Sequence, residues 1–253
     1  MNIFKRTISG VRGKSGLKID AVLEKSEYVA GELVRGHLYI KGGKVKQAID
    51  TVYIQVMTDY SIEFDDMIKK ESGALQSMIV SVDSFIQPDE ELMTPFFFTL
   101  SENTPISLHQ SHVWISAKLA NDKTDNQYDA DAVQIVPSAG LKTIIQAIQE
   151  EGFILRNCEN KKNYGKITQE LEFFPLKGQY QSSINDIKIT YLNFKTTVDL
   201  TLQVNPSSPQ MFTKRLKKLD DEFTTRISFS INQINDKDYI RSILTQAINR
   251  KLI

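Results

Sequence analysis

Alternation of apolar and polar residues over short segments is the feature that most constrains the fold of this chain. In HVWISAKL, one face carries Val113, Ile115, Ala117 and Leu119, and the residues between them form the other. A period of two residues is that of a β-strand with one buried face. Further segments with strand character lie between turn residues and predict a β-sandwich: KIDAVL, LVRGHLYI, TVYIQV, TPFFFTL, FILRNCE, ITQELEFFP, DIKITYLNF and TTVDLTLQV.

Helical periodicity appears in three places. In AGLKTIIQAIQEEG, apolar residues recur at helical spacing between an N-cap at Ser138 and a stop at Gly152. The terminal stretch NDKDYIRSILTQAINRKLI has an N-cap at Asp236 and one apolar stripe. Because that stripe holds three isoleucines and a leucine, we expect the terminal helix to be docked. Residues 212–223 predict another short helix.

The strand pattern breaks after Pro137, which places a domain boundary there. We predict a flexible basic arm over residues 1–16 and an N-terminal β-sandwich over residues 17–137. A C-terminal β-rich lobe with linking and terminal helices is predicted over residues 138–253. The fold class is therefore mainly β, with two lobes and short amphipathic helices. In TPFFFTL, Pro95 lies directly before the three phenylalanines and predicts the start of a strand.

Composition argues against several classes of function. Lys plus Arg and Asp plus Glu each number 31 among 253 residues, so no overall field favours nucleic acid. The single cysteine cannot form an internal disulfide. No apolar run approaches the roughly 20 residues that span a bilayer. The N-terminus lacks the apolar stretch of a secretory signal, so we expect a cytoplasmic location.

The pair Gly42–Gly43 raises the question of phosphate binding. A phosphate-binding loop leads from a strand into a helix N-terminus, which supplies free N–H groups. Here the pair is followed by another predicted strand, and no Gly-Lys-Ser or Gly-Lys-Thr sequence is present. We interpret the pair as a strand-to-strand turn in which glycine tolerates positive φ, and we expect no cofactor.

Two groups of residues have metal-ligand chemistry. His109 and His112 are three apart and would face opposite sides of a strand, unless His109 lies in the preceding loop. The segment NDKTDNQYDAD lacks EF-hand spacing, so a solvated hairpin loop is favoured for its carboxylates, Asp122, Asp125, Asp129 and Asp131. We hypothesise that this loop binds calcium at about millimolar strength, which calorimetry without heat would contradict.

Catalytic residues are not apparent in the sequence. Cys158 lies in a predicted strand near Lys161 and Lys162 but near no histidine, so we interpret it as buried or inert. The nucleophile-elbow pattern of serine hydrolases is absent, although a Ser–His–Asp arrangement of scattered residues stays open. We therefore expect a non-enzymatic protein with no catalytic residues.

Candidate interaction residues lie in one strand and at the N-terminus. Trp114 either fills the second side of the sandwich, which is favoured, or forms an exposed anchor. His112 and Lys118 share its strand face. Four N-terminal cations would be attracted to anionic lipid, with a solvated arm as the favoured alternative: Lys5, Arg6, Arg12 and Lys14.

Several segments together resemble the SpoOM family, the bacterial sporulation-control proteins of the arrestin-like superfamily. They are VLEKSEYVAGELVRGHLYIKGGKVKQAIDTVYIQVMTDY, SFIQPDEELMTPFFFTLSENTPIS and SHVWISAKLANDKTDNQYDADAVQIVP, and the resemblance loosens after about residue 175. The resemblance implies an arrestin-like arrangement of two β-sandwich lobes and a cytoplasmic location. It also implies a regulatory role in sporulation or in stress and division control, protein partners and no known catalysis.

The chain departs from the family pattern at three points. It has Ala30–Gly31–Glu32 where many relatives have Pro-Gly-Glu, and Leu119–Ala120–Asn121 where they often have Leu-Asp-Ile. Asn205–Pro206–Ser207–Ser208 stands where basic residues are common. The resemblance thus supports the fold more firmly than any partner surface. We expect a regulatory adaptor that binds other proteins, a second copy of itself among them, with a membrane-associated scaffold as the alternative.

Overall fold

The structure is a computed structural model that describes residues 16–49, 51–64, 67–82, 85–120, 129–207 and 223–252. The predicted arm lies outside these residues except for its last residue, and the predicted helix over 212–223 lies outside except for Phe223. The described chain divides into two compact units. The first comprises residues up to Asp59, Glu71–Ser107 and His112–Val136; the second comprises Tyr60–Lys70, Leu108–Ser111 and the residues from Pro137 onward.

Ten strands precede the first described helix. They are β1 (Lys18–Leu23), β2 (Glu27–Val29), β3 (Leu33–Lys41), β4 (Gln47–Ala48), β5 (Thr51–Phe64), β6 (Met67–Ser81), β7 (Phe85–Ile86), β8 (Glu91–Thr99), β9 (Val113–Leu119) and β10 (Asp129–Val136). In the first unit, one sheet has the order β1-β3-β8. A second sheet has the order β5-β9-β10-β2, with β6 paired to β5, and β4 pairs with β7.

The predicted alternation places the core of the first unit between these two sheets. In β3, Val34, Leu38 and Ile40 are buried, while Arg35, His37 and Tyr39 face outward. In β9, the predicted apolar face supplies Val113, Ile115 and Ala117 to the same core. Because every second side chain enters the core, each sheet keeps one outward face.

Strand β8 differs from its sequence prediction. The strand begins at Glu91, so Pro95 lies in its middle and not at its start. Proline is compatible with this position because β8 is an edge strand of its sheet, and an N–H on its open side would have no strand partner. The long strand β6 was not predicted, because its sequence MIKKESGALQSMIVS lacks sustained alternation.

Glycine at position 42 is required for a different reason from the one predicted. Positive φ angles occur at Gly31 and Gly152, among others, but not at Gly42. A Cβ atom at Gly42 would lie 2.0 Å from the carbonyl oxygen of Gln87. Its N–H also donates to the carbonyl of Glu90 at 2.8 Å. Close backbone approach therefore excludes a side chain here, and the segment is a packed connection between strands.

The described residues of the second unit contain two α-helices, a short 3-10 helix at Gln233–Asn235 and five strands that lie wholly within the unit. The α-helices and strands are α1 (Ala139–Glu150), β11 (Phe153–Asn163), β12 (Lys166–Pro175), β13 (Ile184–Asn193), β14 (Thr197–Pro206), β15 (Thr224–Ser230) and α2 (Lys237–Arg250). The strands pair antiparallel in chain order. The end of β5 pairs parallel with β11 at Ser61 and Lys161. The predicted hairpin of β13 and β14 is confirmed.

Both predicted helix caps are confirmed. The Ser138 side chain accepts from the N–H of Leu141, and the Asp236 side chain accepts from the N–H of Tyr239. The terminal helix is docked, as expected, because its apolar stripe is buried: Ile240, Leu244, Ala247 and Ile248. No helix in the described residues has the length and hydrophobicity that a bilayer-spanning helix requires.

Truncating the docked face of α2 should destabilise the protein. Leu244 is 1% exposed, so Leu244→Ala should lower the free energy of unfolding by about 2–5 kcal/mol. Urea denaturation followed by circular dichroism measures this change. The control Gln246→Ala lies on the exposed side of α2 and should change stability by less than about 0.5 kcal/mol. Equal midpoints for both variants would contradict docking.

Candidate functional site

Asp129 is a carboxylate that the fold turns into the core of the first unit. It pairs with Ala117 across the β9–β10 ladder and therefore shares the inward face of the sheet. Asp129 is only 5% exposed, and its Oδ2 accepts a hydrogen bond of 2.8 Å from the N–H of Ala21 in β1. Because β1 is an edge strand, this side chain satisfies an edge N–H and connects the two sheets.

Two more carboxylates lie beside Asp129. Asp20 is its neighbour on β1 and Asp131 lies two residues along β10, and ligand oxygens from all three lie within 4.8 Å of one another. Burial raises the pKa of the Asp129 carboxyl to about 6. The negative charges of Asp131 and Asp20 act in the same direction, whereas the N–H of Ala21 opposes them. We call these three residues the carboxylate cluster.

The carboxylate cluster overlaps only in part with the predicted calcium ligands. Asp129 and Asp131 lie in β10 and not in a solvated loop, and Asp129 is buried because its strand position points inward. Asp122 and Asp125 lie outside the described residues. Asp20 was missed because it is more than a hundred residues away in sequence, where no spacing motif could reveal it. Oxygen ligands of this kind suit hard cations, with which protons would compete at Asp129.

The outward face of β9 carries the predicted interaction residues. Trp114 pairs with Met57 of β5 on one side and with Ala132 of β10 on the other. The Trp114 side chain is half-buried, so it is neither a fully buried core residue nor a fully exposed anchor. Lys118 pairs with Tyr53 farther along the same face. We call Tyr53, Met57, His112, Trp114 and Lys118 the tryptophan face.

His112 is held at one end of the tryptophan face. Its Nδ1 lies 3.6 Å from Oδ2 of Asp59, and its backbone carbonyl accepts from the Thr58 hydroxyl at 2.7 Å. The hydroxyl of Ser72 donates to the other oxygen of Asp59 at 2.8 Å. In a catalytic triad the hydroxyl would bond the imidazole. Here the Ser72 hydroxyl bonds the Asp59 carboxylate and not the imidazole. The arrangement therefore orients His112.

The remaining candidates are not brought into one place. Cys158 is fully buried, as predicted, and burial raises the pKa of its thiol to about 12. A nucleophilic cysteine requires the opposite shift. His109 lies in the turn before β9, with φ of 53°, so it does not share a strand with His112. The basic residues of the arm, Lys5, Arg6, Arg12 and Lys14, lie outside the described residues.

Comparison with known proteins gives concordant matches. A family model described as SpoOM protein matches residues 4–207. The sporulation-control protein Spo0M of Bacillus subtilis (strain 168) is 27% identical over 257 residues, covering 99% of this chain and 99% of that protein. The crystal structure of Spo0M from Bacillus subtilis superimposes with a TM-score of 0.80 at 24% identity. That match covers 93% of this chain and 98% of the other, and it confirms the predicted mainly β fold class.

Removing the charge of Asp129 should stabilise the protein near neutral pH. The carboxyl has a pKa of about 6 in the folded state against 3.8 ordinarily, so the folded state binds its proton more tightly than the unfolded chain does. Its contribution to stability is therefore favourable at low pH and is lost as pH rises through about 6. Asp129→Asn keeps an acceptor for Ala21 and should gain on the order of 2–3 kcal/mol at about pH 7.

The measurement is the difference in unfolding free energy between variant and natural chain across this pH range. The difference should vanish towards about pH 4, where the natural carboxyl is also neutral. Asp131→Asn removes a charge from the exposed end of the cluster and should have a smaller effect. A pH-independent difference for Asp129→Asn would contradict the assignment.

Proposed function

Because the chain belongs to the SpoOM protein family, we propose that it is a non-enzymatic regulatory adaptor that acts by binding other proteins. Homology to a sporulation-control protein supports a regulatory role. The proposal includes a role in the control of sporulation, which is the role stated in the name of the relative. A cytoplasmic location is part of the same proposal.

The observation that carries the proposal is the tryptophan face. Trp, Tyr and Met are enriched in the cores of protein interfaces, and a few such anchors supply most of the binding energy. Trp114 pairs with the buried Met57 on one side, which favours an ordered ring, and with the small Ala132 on the other. Less entropy is lost when an anchor is already ordered, so binding is strengthened.

The chemistry of the candidate nucleophiles supports a role without catalysis. The Cys158 thiol stays protonated at neutral pH, because its pKa is raised to about 12. His112 faces Asp59, whose carboxylate is already engaged by Ser72. Binding of other proteins, in contrast, needs only the exposed surface that the sandwich provides.

Trp114→Ala should remove most of the affinity for a protein partner. Partners are first identified by affinity purification from growing and starved native cells, followed by mass spectrometry. Binding of each purified partner is then measured by calorimetry. We expect a loss of about 30-fold, which corresponds to about 2 kcal/mol for a hot-spot residue.

The matched control is Tyr164→Ala in the second unit. Tyr164 is fully exposed in the turn between β11 and β12, and its truncation should leave affinity unchanged. Thermal melting must show that both variants are folded. Equal affinity of Trp114→Ala and the natural chain would contradict the role of this face, and a folded bait without partners would contradict the adaptor proposal.

A further inference from the structure

Exposed apolar side chains lie together at one end of the sheet in the second unit. The β11–β12 and β13–β14 turns share this end, because successive strands of the sheet run in opposite directions. Tyr164 in the first turn is fully exposed, and Phe194 in the second is 47% exposed. Ile231 follows β15 and is 44% exposed, and its N–H donates to the carbonyl of Thr196 in the second turn at 3.1 Å. We call Tyr164, Phe194 and Ile231 the turn edge.

Tyr164 occupies a position that favours a different residue. The φ angles of Tyr164 and Gly165 are 49° and 79°, and a two-residue hairpin turn with both angles positive strongly prefers Asn-Gly. A bulky side chain at positive φ is strained. Because the ring is fully exposed, burial within the fold does not offset this strain. A strained and exposed ring at a turn indicates a contact outside the chain.

The start of β6 continues the same end of the sheet. Ser61 of β5 pairs in parallel with Lys161 of β11, and both residues belong to the second unit. Strand β5 therefore ends beside the β11–β12 turn. The first residues of β6 are apolar and open to solvent, since Met67 is 68% exposed and Ile68 is 72% exposed. Grouped apolar side chains of this kind commonly mark an interaction site.

Lysines adjoin both aromatic residues of the turn edge. Lys166 follows the Tyr164–Gly165 turn and Lys195 follows Phe194; both are exposed, and neither forms an ion pair with another described residue. Neither turn contains an acidic residue. The neighbouring β5–β6 hairpin and the start of α2 do contain acids, and two of these, Asp65 and Asp66, lie outside the described residues: Glu63, Asp65, Asp66, Asp236 and Asp238. Positive charge is therefore concentrated at the two aromatic turns.

The shape of the turn edge favours a lipid bilayer over a folded protein. Neighbouring strands lie about 4.8 Å apart, so turns that are two strands apart lie about 10 Å from each other. Such turns project as separate points, whereas a protein interface requires a continuous and complementary surface. The headgroup layer of a bilayer deforms and can accept each side chain separately. Tyrosine rings and the apolar stems of lysines are suited to this layer.

We propose that the turn edge docks on a phospholipid bilayer, with Tyr164 and Phe194 in the headgroup layer and Lys166 and Lys195 at lipid phosphates. Anionic headgroups would strengthen docking through attraction to the two lysines. These residues are distinct from the N-terminal cations and from the tryptophan face, and the proposal does not depend on the proposed function. Calorimetry with a purified partner contains no lipid, so truncation of Tyr164 stays a control in that measurement.

Flotation of the full chain with vesicles of phosphatidylcholine and phosphatidylglycerol tests the proposal. Tyr164→Asn with Phe194→Ser should lower the partition coefficient at least about tenfold, because two apolar contacts are lost. Asparagine is a residue that this turn favours, so we expect the variant to fold, which thermal melting checks. The matched control, Met93→Ser with Phe97→Ser, removes exposed apolar side chains from the first unit and should bind like the natural chain.

A fluorescent label locates the contact. Thr196→Cys places an exposed thiol in the β13–β14 turn while keeping both aromatic residues and both lysines, and Ala130→Cys places one in the first unit. Cys158 is buried, so an environment-sensitive fluorophore attaches selectively to the introduced thiol. On addition of vesicles, the emission from position 196 should shift to shorter wavelength, and the emission from position 130 should stay unchanged.

Exchange of the lysines tests the contribution of charge. Lys166→Gln with Lys195→Gln should weaken binding to the mixed vesicles about 30-fold and binding to phosphatidylcholine alone much less. Equal partition of the natural chain and the Tyr164–Phe194 variant would overturn the proposal, and so would a chain that binds neither kind of vesicle. Binding without a shift at position 196 would assign the contact to another part of the chain, such as the N-terminal cations, and would also overturn docking by the turn edge.

Discussion

The hydrogen bond from the N–H of Ala21 to the buried Asp129 carboxylate solves a problem common to every sandwich. Two packed sheets have open edges, and each edge exposes backbone groups that need partners. Asp129 supplies an acceptor at the β1 edge, and Gln76 contacts the end of β8 at the opposite edge. Both edges of the sheet β1-β3-β8 are thus joined by side chains to the strands facing them. The core of the first unit depends on this closure.

The closure has an electrostatic consequence. A buried carboxylate beside two others is strained by burial and by repulsion, which together raise the pKa of Asp129. A proton or a bound cation would relieve that repulsion. The carboxylate cluster is therefore both a structural connection and a place where pH acts on the stability of the sandwich. The repulsion among these carboxylates is strong because Asp129 is buried. Between fully exposed charges, solvent and salt would screen it.

The closed edges also determine how the first unit can meet other molecules. Pro95 offers no N–H at the β8 edge, which disfavours strand addition there and leaves the outward face of this sheet as its accessible surface. One face presents the half-buried Trp114, and the other presents the exposed Met93 and Phe97. Surfaces of this kind suit regulation by association, because each can be covered and uncovered without disturbing the core.

Local pattern predicted much of the fold. The alternation in β3 and β9, the helix caps at Ser138 and Asp236, and the burial of Cys158 were all correct, because each depends on neighbours in sequence. The start of β8 was predicted wrongly, because the tolerance for Pro95 comes from an edge position that sequence does not display. The strand β6 was missed, because pairing with β5 compensates for its weak alternation.

The sequence by itself determined which segments have apolar faces and where helices begin. Only the tertiary structure decided that Asp20 lies beside Asp129, that Gly42 must lack a side chain, and that Trp114 is half-buried. The physical reason is the range of the interactions involved. Periodicity and capping act over a few residues along the chain, whereas repulsion, close approach and burial depend on partners that folding brings together from distant segments.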